Sequence, residues 1–258
     1  MRLVTWNVNS LNARLDRVTE WLTLRKPDVV CLQETKLAND EFPHDVFGEM
    51  GYESAHHGQG QWNGVAILSR VGLEDVHPDF ADGDDPDVDA RIIWGTCQGI
   101  RVASCYVPNG RSLDDDHYQY KLAWLDRLAA DVAGNTTAGD DVCVLGDFNI
   151  APDSRDIYDA ESHVGVTHVS EPERARLAAL DAWGLHDIFR DHHEKPGLYS
   201  WWDYRKGDFH MRRGMRIDLI LATDSVGSRT SRIVVDRNAR KGKLPSDHAP
   251  VVADIGPN

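Results

Sequence analysis

The sequence predicts an α/β (α+β) protein in which two mostly antiparallel sheets pack face to face with helices outside. Three observations carry that expectation. Strand-like runs outnumber helical patterns, and they do not alternate with helices in regular βαβ units. The chain has 258 residues, 41% of them hydrophobic, which is enough for a sizeable core. With no Pro/Ser-rich linker and no repeat at a fixed period, one domain over 1–258 is expected.

Apolar and β-branched runs place strands near 2–6, 28–33, 52–56, 63–69, 90–97, 100–107, 141–146, 216–222, 230–236 and 249–254. Between the first two, Ser10 is placed to cap a helix over about 11–25. Leu11, Leu15, Val18, Leu22 and Leu24 fall there near a 3.6-residue stripe. Asp82–Asp89 reads as a solvated loop, because five acids and a proline in eight residues cannot pack. Asp114–Asp116 suit the start of a second helix running to about 133, since acids favour the positive end of the helix dipole. Its inner face is expected to be Tyr118, Leu122, Leu125 and Leu128. The third helix is Pro172–Trp183, with the proline in a first-turn position.

Cys31, Cys97, Cys105 and Cys143 each lie in or beside a strand-like run and form no Cys-x-x-Cys pair. They read as small buried apolar residues, not zinc or redox ligands. No apolar stretch approaches the roughly 18 residues needed to span a bilayer. The chain enters a strand at Leu3 without a basic, apolar leader. A cytoplasmic location without a membrane partner is therefore expected, and a monomer is the default.

A formal net charge of −14 argues at first against a polyanionic partner, but its distribution is uneven. Residues 201–243 hold eleven Lys/Arg and five acids, which leaves the rest of the chain at −20. The same segment carries Trp201, Trp202, Tyr204, Phe209 and Met215. Basic side chains interleaved with aromatics suit phosphate contact plus base stacking, although an ordinary solvated loop beside a hydrophobic hairpin has the same composition.

Polar residues stand at the strand ends. Gly146-Asp147-Phe148-Asn149 directly follow the run 142–145, Asn7 ends 3–6, Glu34 ends 29–33 and Tyr106 follows 102–105. Asp218 opens 219–221, and Asp247-His248 precede 250–253. So many strand-end polar groups are hard to explain as packing, and they read as one site assembled from distant segments. Glu34 and Asn7 offer a carboxylate and an amide oxygen, which suit a hard cation such as Mg²⁺. Asp147 and Asn149 are two apart, so an extended segment would send both to one face, where one accepts a proton and the other donates to an oxyanion. Gly, Asp and Asn also favour turns, so this segment alone also fits a turn, the less favoured of the two readings. A His that holds a phosphate must be charged, and Asp218 is the acid expected to keep His248 so.

Together the motifs Thr5-Trp6-Asn7-Val8-Asn9, Leu32-Gln33-Glu34-Thr35-Lys36, Tyr106-Val107-Pro108-Asn109, Gly146-Asp147-Phe148-Asn149, Arg216-Ile217-Asp218 and Ser246-Asp247-His248-Ala249-Pro250 resemble the exonuclease III family. These are apurinic/apyrimidinic endonucleases of the endonuclease/exonuclease/phosphatase superfamily. The resemblance covers about 1–254, in order and spacing. It implies a four-layer α/β sandwich and Mg²⁺- or Mn²⁺-dependent phosphodiester hydrolysis in DNA. Incision is expected 5′ to abasic sites, with 3′→5′ exonuclease or 3′-end repair alongside, on double-stranded DNA with abasic sites or 3′ ends. It also implies roles. Asn7, Glu34 and Asp247 resemble metal ligands, Asp147 the residue that orients or deprotonates water, and Asn149 and Tyr106 phosphate-side stabilisers. His248, paired to Asp218, resembles the phosphate-binding imidazole, and either it or Asp147 could serve as the base. Asn109, Trp201, Met215 and Arg216 match DNA-side positions, Trp201 and Met215 where the family builds its pocket for a flipped, baseless sugar. Asn9 departs from members that carry Asp there. Superfamily relatives acting on inositol or lipid phosphates tend to carry His at the position of Tyr106, which disfavours that alternative.

Overall fold

The computed structural model describes residues 1–257. In chain order the elements are β1 (Arg2–Asn7), α1 (Leu11–Arg25), β2 (Val29–Gln33), α2 (His44–Glu49), β3 (Glu53–His57), β4 (Val65–Ser69), β5 (Glu74–Pro78), β6 (Ile92–Cys97) and β7 (Ile100–Tyr106). There follow α3 (Asp116–Asn135), β8 (Val142–Asp147), α4 (Glu171–Trp183), β9 (His186–Asp187), α5 (Ile188–His192), α6 (Asp208–Met211), β10 (Asp218–Ala222), α7 (Asp224–Gly227), β11 (Thr230–Val235) and β12 (Val251–Ile255). Strands form two six-stranded sheets, ordered β11-β12-β1-β2-β4-β3 and β5-β6-β7-β8-β10-β9. Each sheet has one parallel pair, β1 with β2 and β7 with β8, and is otherwise antiparallel.

Alternation along the strands builds the layers. Leu3, Val29, Cys31, Val65 and Ile67 face Ile93, Val102, Cys143, Leu145 and Ile220 between the sheets. Val4, Trp6, Val30 and Leu32 point the other way, against Leu11, Val18, Trp21 and Leu22 of α1 and Phe47 of α2. On the far side Ala103, Val142 and Val144 meet Trp124, Leu125 and Leu128 of α3 and Leu180 of α4. The result is the four-layer sandwich, and all four cysteines are free and buried in it. No described helix is long and apolar enough to cross a membrane.

Each expected strand is present. Two were missed: β5, whose five residues are all exposed and break alternation, and β9, which is only two residues long. Three details of the helices differ. Ser10 does not cap α1 with its side chain; its φ is 81°, and the amides of Ser10 and Leu11 bond the Glu34 and Thr35 carbonyls at 2.7 and 2.9 Å. Leu24 is 71% exposed, and Trp21 takes the inner position the stripe assigned to it. On α3 the inner face contains Lys121 and Trp124, while Leu122 is only half-buried. Asp115 caps that helix, accepting from the His117 amide at 2.8 Å. The acidic loop 82–89 is tethered: Asp82 pairs with Arg127, and Asp89 holds Arg91 at 2.9 Å.

Candidate active site

The two parallel pairs put the ends of β1, β2, β7 and β8 at one edge of the sandwich. The antiparallel neighbours β12 and β10 begin at that same edge, so six strand termini converge. Asp218 lies directly opposite Asp147 in the β8–β10 register. Close approach of β7 to β8 depends on Gly146, where a Cβ would collide with the Cys105 carbonyl. Five non-glycine residues here take positive φ: Asn9 at 44°, Ser10 at 81°, Glu34 at 51°, Lys36 at 53° and Asn149 at 51°. Backbone in that region persists only where the surroundings enforce it, as they do here through the hydrogen bonds described below.

Glu34, Asp147 and His248 form the one cluster among the described residues whose ligand atoms lie within 4.8 Å of one another. Asn7, fully buried, links the two acids; its Nδ2 donates to Glu34 Oε1 at 2.8 Å and to Asp147 Oδ2 at 2.9 Å. Its Oδ1 accepts from the Asn9 amide at 2.9 Å, which only an oxygen can do. In this geometry Asn7 is a donor held between the two carboxylates, with its oxygen on the Asn9 amide. Two carboxylates at one point are hard oxygen donors and fit Mg²⁺ or Mn²⁺.

His248 is 4% exposed, with Nδ1 2.9 Å from Asp218 Oδ2 and Nε2 3.7 Å from Asp147 Oδ2. Burial by itself would discharge the ring, but the Asp218 and Asp147 carboxylates outweigh it and lift the pKa to about 10. Glu34 and Asp147 supply the hard oxygen donors of the cluster. Burial raises Asp147 well above the usual carboxylate range, with Asp218 and Glu34 adding to the rise and His248 opposing it. Tyr106 is also pushed up, first by burial and then by the charges of Glu34 and Asp147, so its phenol stays protonated. The Arg91 guanidinium sits 4.8 Å from the centroid of its ring.

Trp201, Met215 and His248 are brought side by side through bridges from Trp201 to Met215 and to His248. Met215 packs with Ala151, Ile157 and Ile217, and Trp201 lies against them, which makes an apolar wall beside the polar cluster. Asp247 is not in the metal cluster. Its oxygens accept from Trp201 Nε1 at 3.1 Å and Asn9 Nδ2 at 3.0 Å. Asn149 is not extended as expected. Its left-handed backbone turns the amide to accept from Asn109 Nδ2 at 3.1 Å and to donate to the Val107 carbonyl at 3.0 Å. Asn109 itself is exposed. Arg216 does not face DNA: it is 0% exposed, bonded to Asp156 at 2.6 Å and bidentate to Asp187 at 2.6 and 3.1 Å. Much of the basic-aromatic segment is likewise structural, since Arg237 and Arg240 both stack on the rings of Trp202 and Phe209 and Trp202 is core.

Lys36 was missed as a member of the site. Its Nζ bonds Glu34 Oε2 at 2.9 Å and Asn9 Oδ1 at 2.7 Å, and Asn9 in turn reaches Asp247. The signal was present in the Glu34-Thr35-Lys36 spacing, but alternation along a strand would have read it as two exposed side chains. The left-handed turn at both residues accounts for the meeting.

The model of the endonuclease/exonuclease/phosphatase family matches residues 4–248. Exodeoxyribonuclease III of Haemophilus influenzae is 30% identical over 270 residues, covering 99% of this chain and 100% of its own. Among solved structures, an AP endonuclease from Archaeoglobus fulgidus superposes with a TM-score of 0.96 at 34% identity, covering 100% of both chains. The 3′-5′ exonuclease NExo of Neisseria meningitidis gives 0.94 at 39% identity over 99% of both chains. The 3′ phosphatase NExo from Neisseria, bound to a product DNA hairpin, gives 0.95 at 38% identity, again over 99% of both.

Proposed function

This chain belongs to the endonuclease/exonuclease/phosphatase family, in its exonuclease III branch, and from that premise we propose that it is a metal-dependent DNA repair phosphodiesterase. Its substrate is double-stranded DNA, incised 5′ to abasic sites to leave a 3′-hydroxyl, with 3′→5′ exonuclease and 3′-end repair alongside. The relatives that process 3′ ends and abasic sites, at 34 to 39% identity over nearly full length, support this reading. One structural observation carries it furthest: two carboxylates held around one amide, beside a buried charged imidazole and an apolar wall.

In this reading the residues divide the work by charge state. Asp147, held by the Asn7 amide at 2.9 Å, orients the attacking water and takes its proton. His248 is already charged, so it serves as phosphate-binding cation and not as the base, and Asp218 keeps it so. The protonated phenol of Tyr106 and the amide of Asn149 donate to the developing oxyanion. Trp201 and Met215 line the pocket for a flipped sugar that lacks its base, and Asn109 meets the DNA backbone. Glu34, with Asp147 beside it, would hold Mg²⁺ or Mn²⁺, which supplies neutralisation of charge on the phosphorane-like transition state.

The test is a duplex oligonucleotide carrying one tetrahydrofuran residue. A Mg²⁺-dependent nick 5′ to the lesion, abolished by EDTA, is expected. Asp147→Asn should lower kcat by orders of magnitude while DNA affinity stays nearly unchanged. Absence of metal-dependent cleavage by the unaltered protein overturns the reading, and a parallel loss of affinity in the variant would make Asp147 structural.

A further inference from the structure

Lys121 is 0% exposed and sits on the inner face of α3, a position that periodicity assigns to an apolar residue. Burying an ion pair where apolar residues would pack well is no route to stability, so its retention calls for another reason. Its Nζ donates to the Asn149 carbonyl at 2.7 Å and the Asn109 carbonyl at 3.2 Å, and it pairs with the fully buried Glu173. Thr167 Oγ1 lies 3.1 Å from the Asn109 carbonyl and 2.9 Å from Glu173 Oε1, between which it shares its single proton. His168 Nδ1 lies 2.5 Å from the Asn149 carbonyl and, since that oxygen can only accept, carries the proton.

Both gripped carbonyls belong to irregular backbone. Asn149 has φ 51°, and Asn109 precedes Gly110 at φ 89°, where a Cβ would also lie 2.7 Å from Thr167 Oγ1. Among the described residues no strand or helix amide bonds either carbonyl, and a buried carbonyl without a donor is costly. The side chains above them are bonded to each other, Asn109 to Asn149. One ammonium group thus holds from behind the two loops that carry the phosphate-side amides.

We propose that Lys121, supported by Glu173 and His168, is a positioning residue that sets the Asn149 and Asn109 amides for catalysis. The proposal rests on the reading above, in which those amides face the substrate phosphate. It acts on geometry that matters chiefly in the transition state, so kcat should respond and KM should not.

The experiment is a double-mutant cycle on abasic duplex with Mg²⁺, using the full chain. Lys121→Met is combined with Glu173→Gln so that no lone charge stays buried, and the pair is made with and without Asn149→Ala. In the native background kcat should fall about tenfold or more with KM within about twofold. In the Asn149→Ala background the same pair should cost clearly less than in the native one, the remainder being what it exerts through Asn109. His168→Phe, which removes the second donor while keeping a ring, should follow the same pattern if the charge pair cannot be removed without unfolding. Losses that multiply in the cycle, or an unchanged kcat in folded variants, overturn the positioning role while leaving the proposed activity intact. No cleavage by the unaltered protein would instead bring down the activity, and this role with it.

Discussion

At the scale of single residues the site is governed by which group holds a proton. His248 and Asp147 face each other across 3.7 Å, and burial pushes both toward their neutral forms. The decision falls to Asp218, whose carboxylate bonds the far nitrogen of the ring at 2.9 Å. Because the folded His248 pKa is raised to about 10, above its ordinary value of about 6.5, the pair stabilises the fold fully at lower pH. That contribution is lost as pH rises through about 10. Asp218→Asn should therefore lower the melting temperature at pH 7, and the gap between variant and parent should close as pH approaches 10.5. Melting curves from pH 6 to 10.5 check this; a gap independent of pH would mean that Asp218 acts through packing alone.

At the scale of elements, α4 shows how one residue serves both helix and site. Ser170 caps its first turn, and Glu173 closes the capping box. Glu173 Oε2 accepts from the Ser170 amide at 3.0 Å and hydroxyl at 2.6 Å, while Oε1 faces Lys121. The two faces of this carboxylate predict unequal costs. Ser170→Ala removes a cap, about 1 kcal/mol, whereas Glu173→Leu strands a buried ammonium, about 3–5 kcal/mol. Urea denaturation of both variants measures the difference, and equal costs would contradict the buried pair. The ion cluster of Arg216 with Asp156, Asp187 and Arg190 acts in a similar way on its own segment. It anchors the chain just before Asp218, so Arg216 shapes the site without facing substrate.

At the scale of the whole molecule the question is how a chain with net charge −14 engages a polyanion. Many of its cations are already committed: Arg205 to Asp203, Arg229 to Asp141, and Arg237 and Arg240 to aromatic rings. Lys241 and Lys243 are exposed on a loop whose carbonyls Arg17 grips at 2.6 and 2.8 Å. A rigid loop presenting cations suits phosphate contact without sequence readout. Replacing both lysines with alanine should raise KM for duplex DNA, leave kcat unchanged, and flatten the dependence of log affinity on log salt by about 2. Titrations at several salt concentrations provide the check, and an unaltered slope would locate the phosphate contacts elsewhere.

Most of the architecture was legible because two periodicities dominate it. Period-two runs gave ten of the strands, and the apolar stripe of 11–25 gave α1 to its observed limits, Leu11–Arg25. β5 was hidden because an exposed edge strand has no buried face to mark it. The strand-end residues Asn7, Glu34, Tyr106, Asp147, Asp218 and His248 could be picked out because a polar group at the end of an apolar run stands out in sequence. Their orientation could not be. Whether Asn7 turns oxygen or nitrogen to the acids depends on the Asn9 amide, and Arg216 is hidden by acids 29 and 60 residues away. By itself, then, the sequence determined the layers and the set of chemical groups, because local pattern and composition encode burial and residue type. The tertiary structure alone decided which proton sits where, which cations are free, and that an inner-face lysine grips two loops. Those depend on distances and burial between segments far apart in the chain, which no local pattern records.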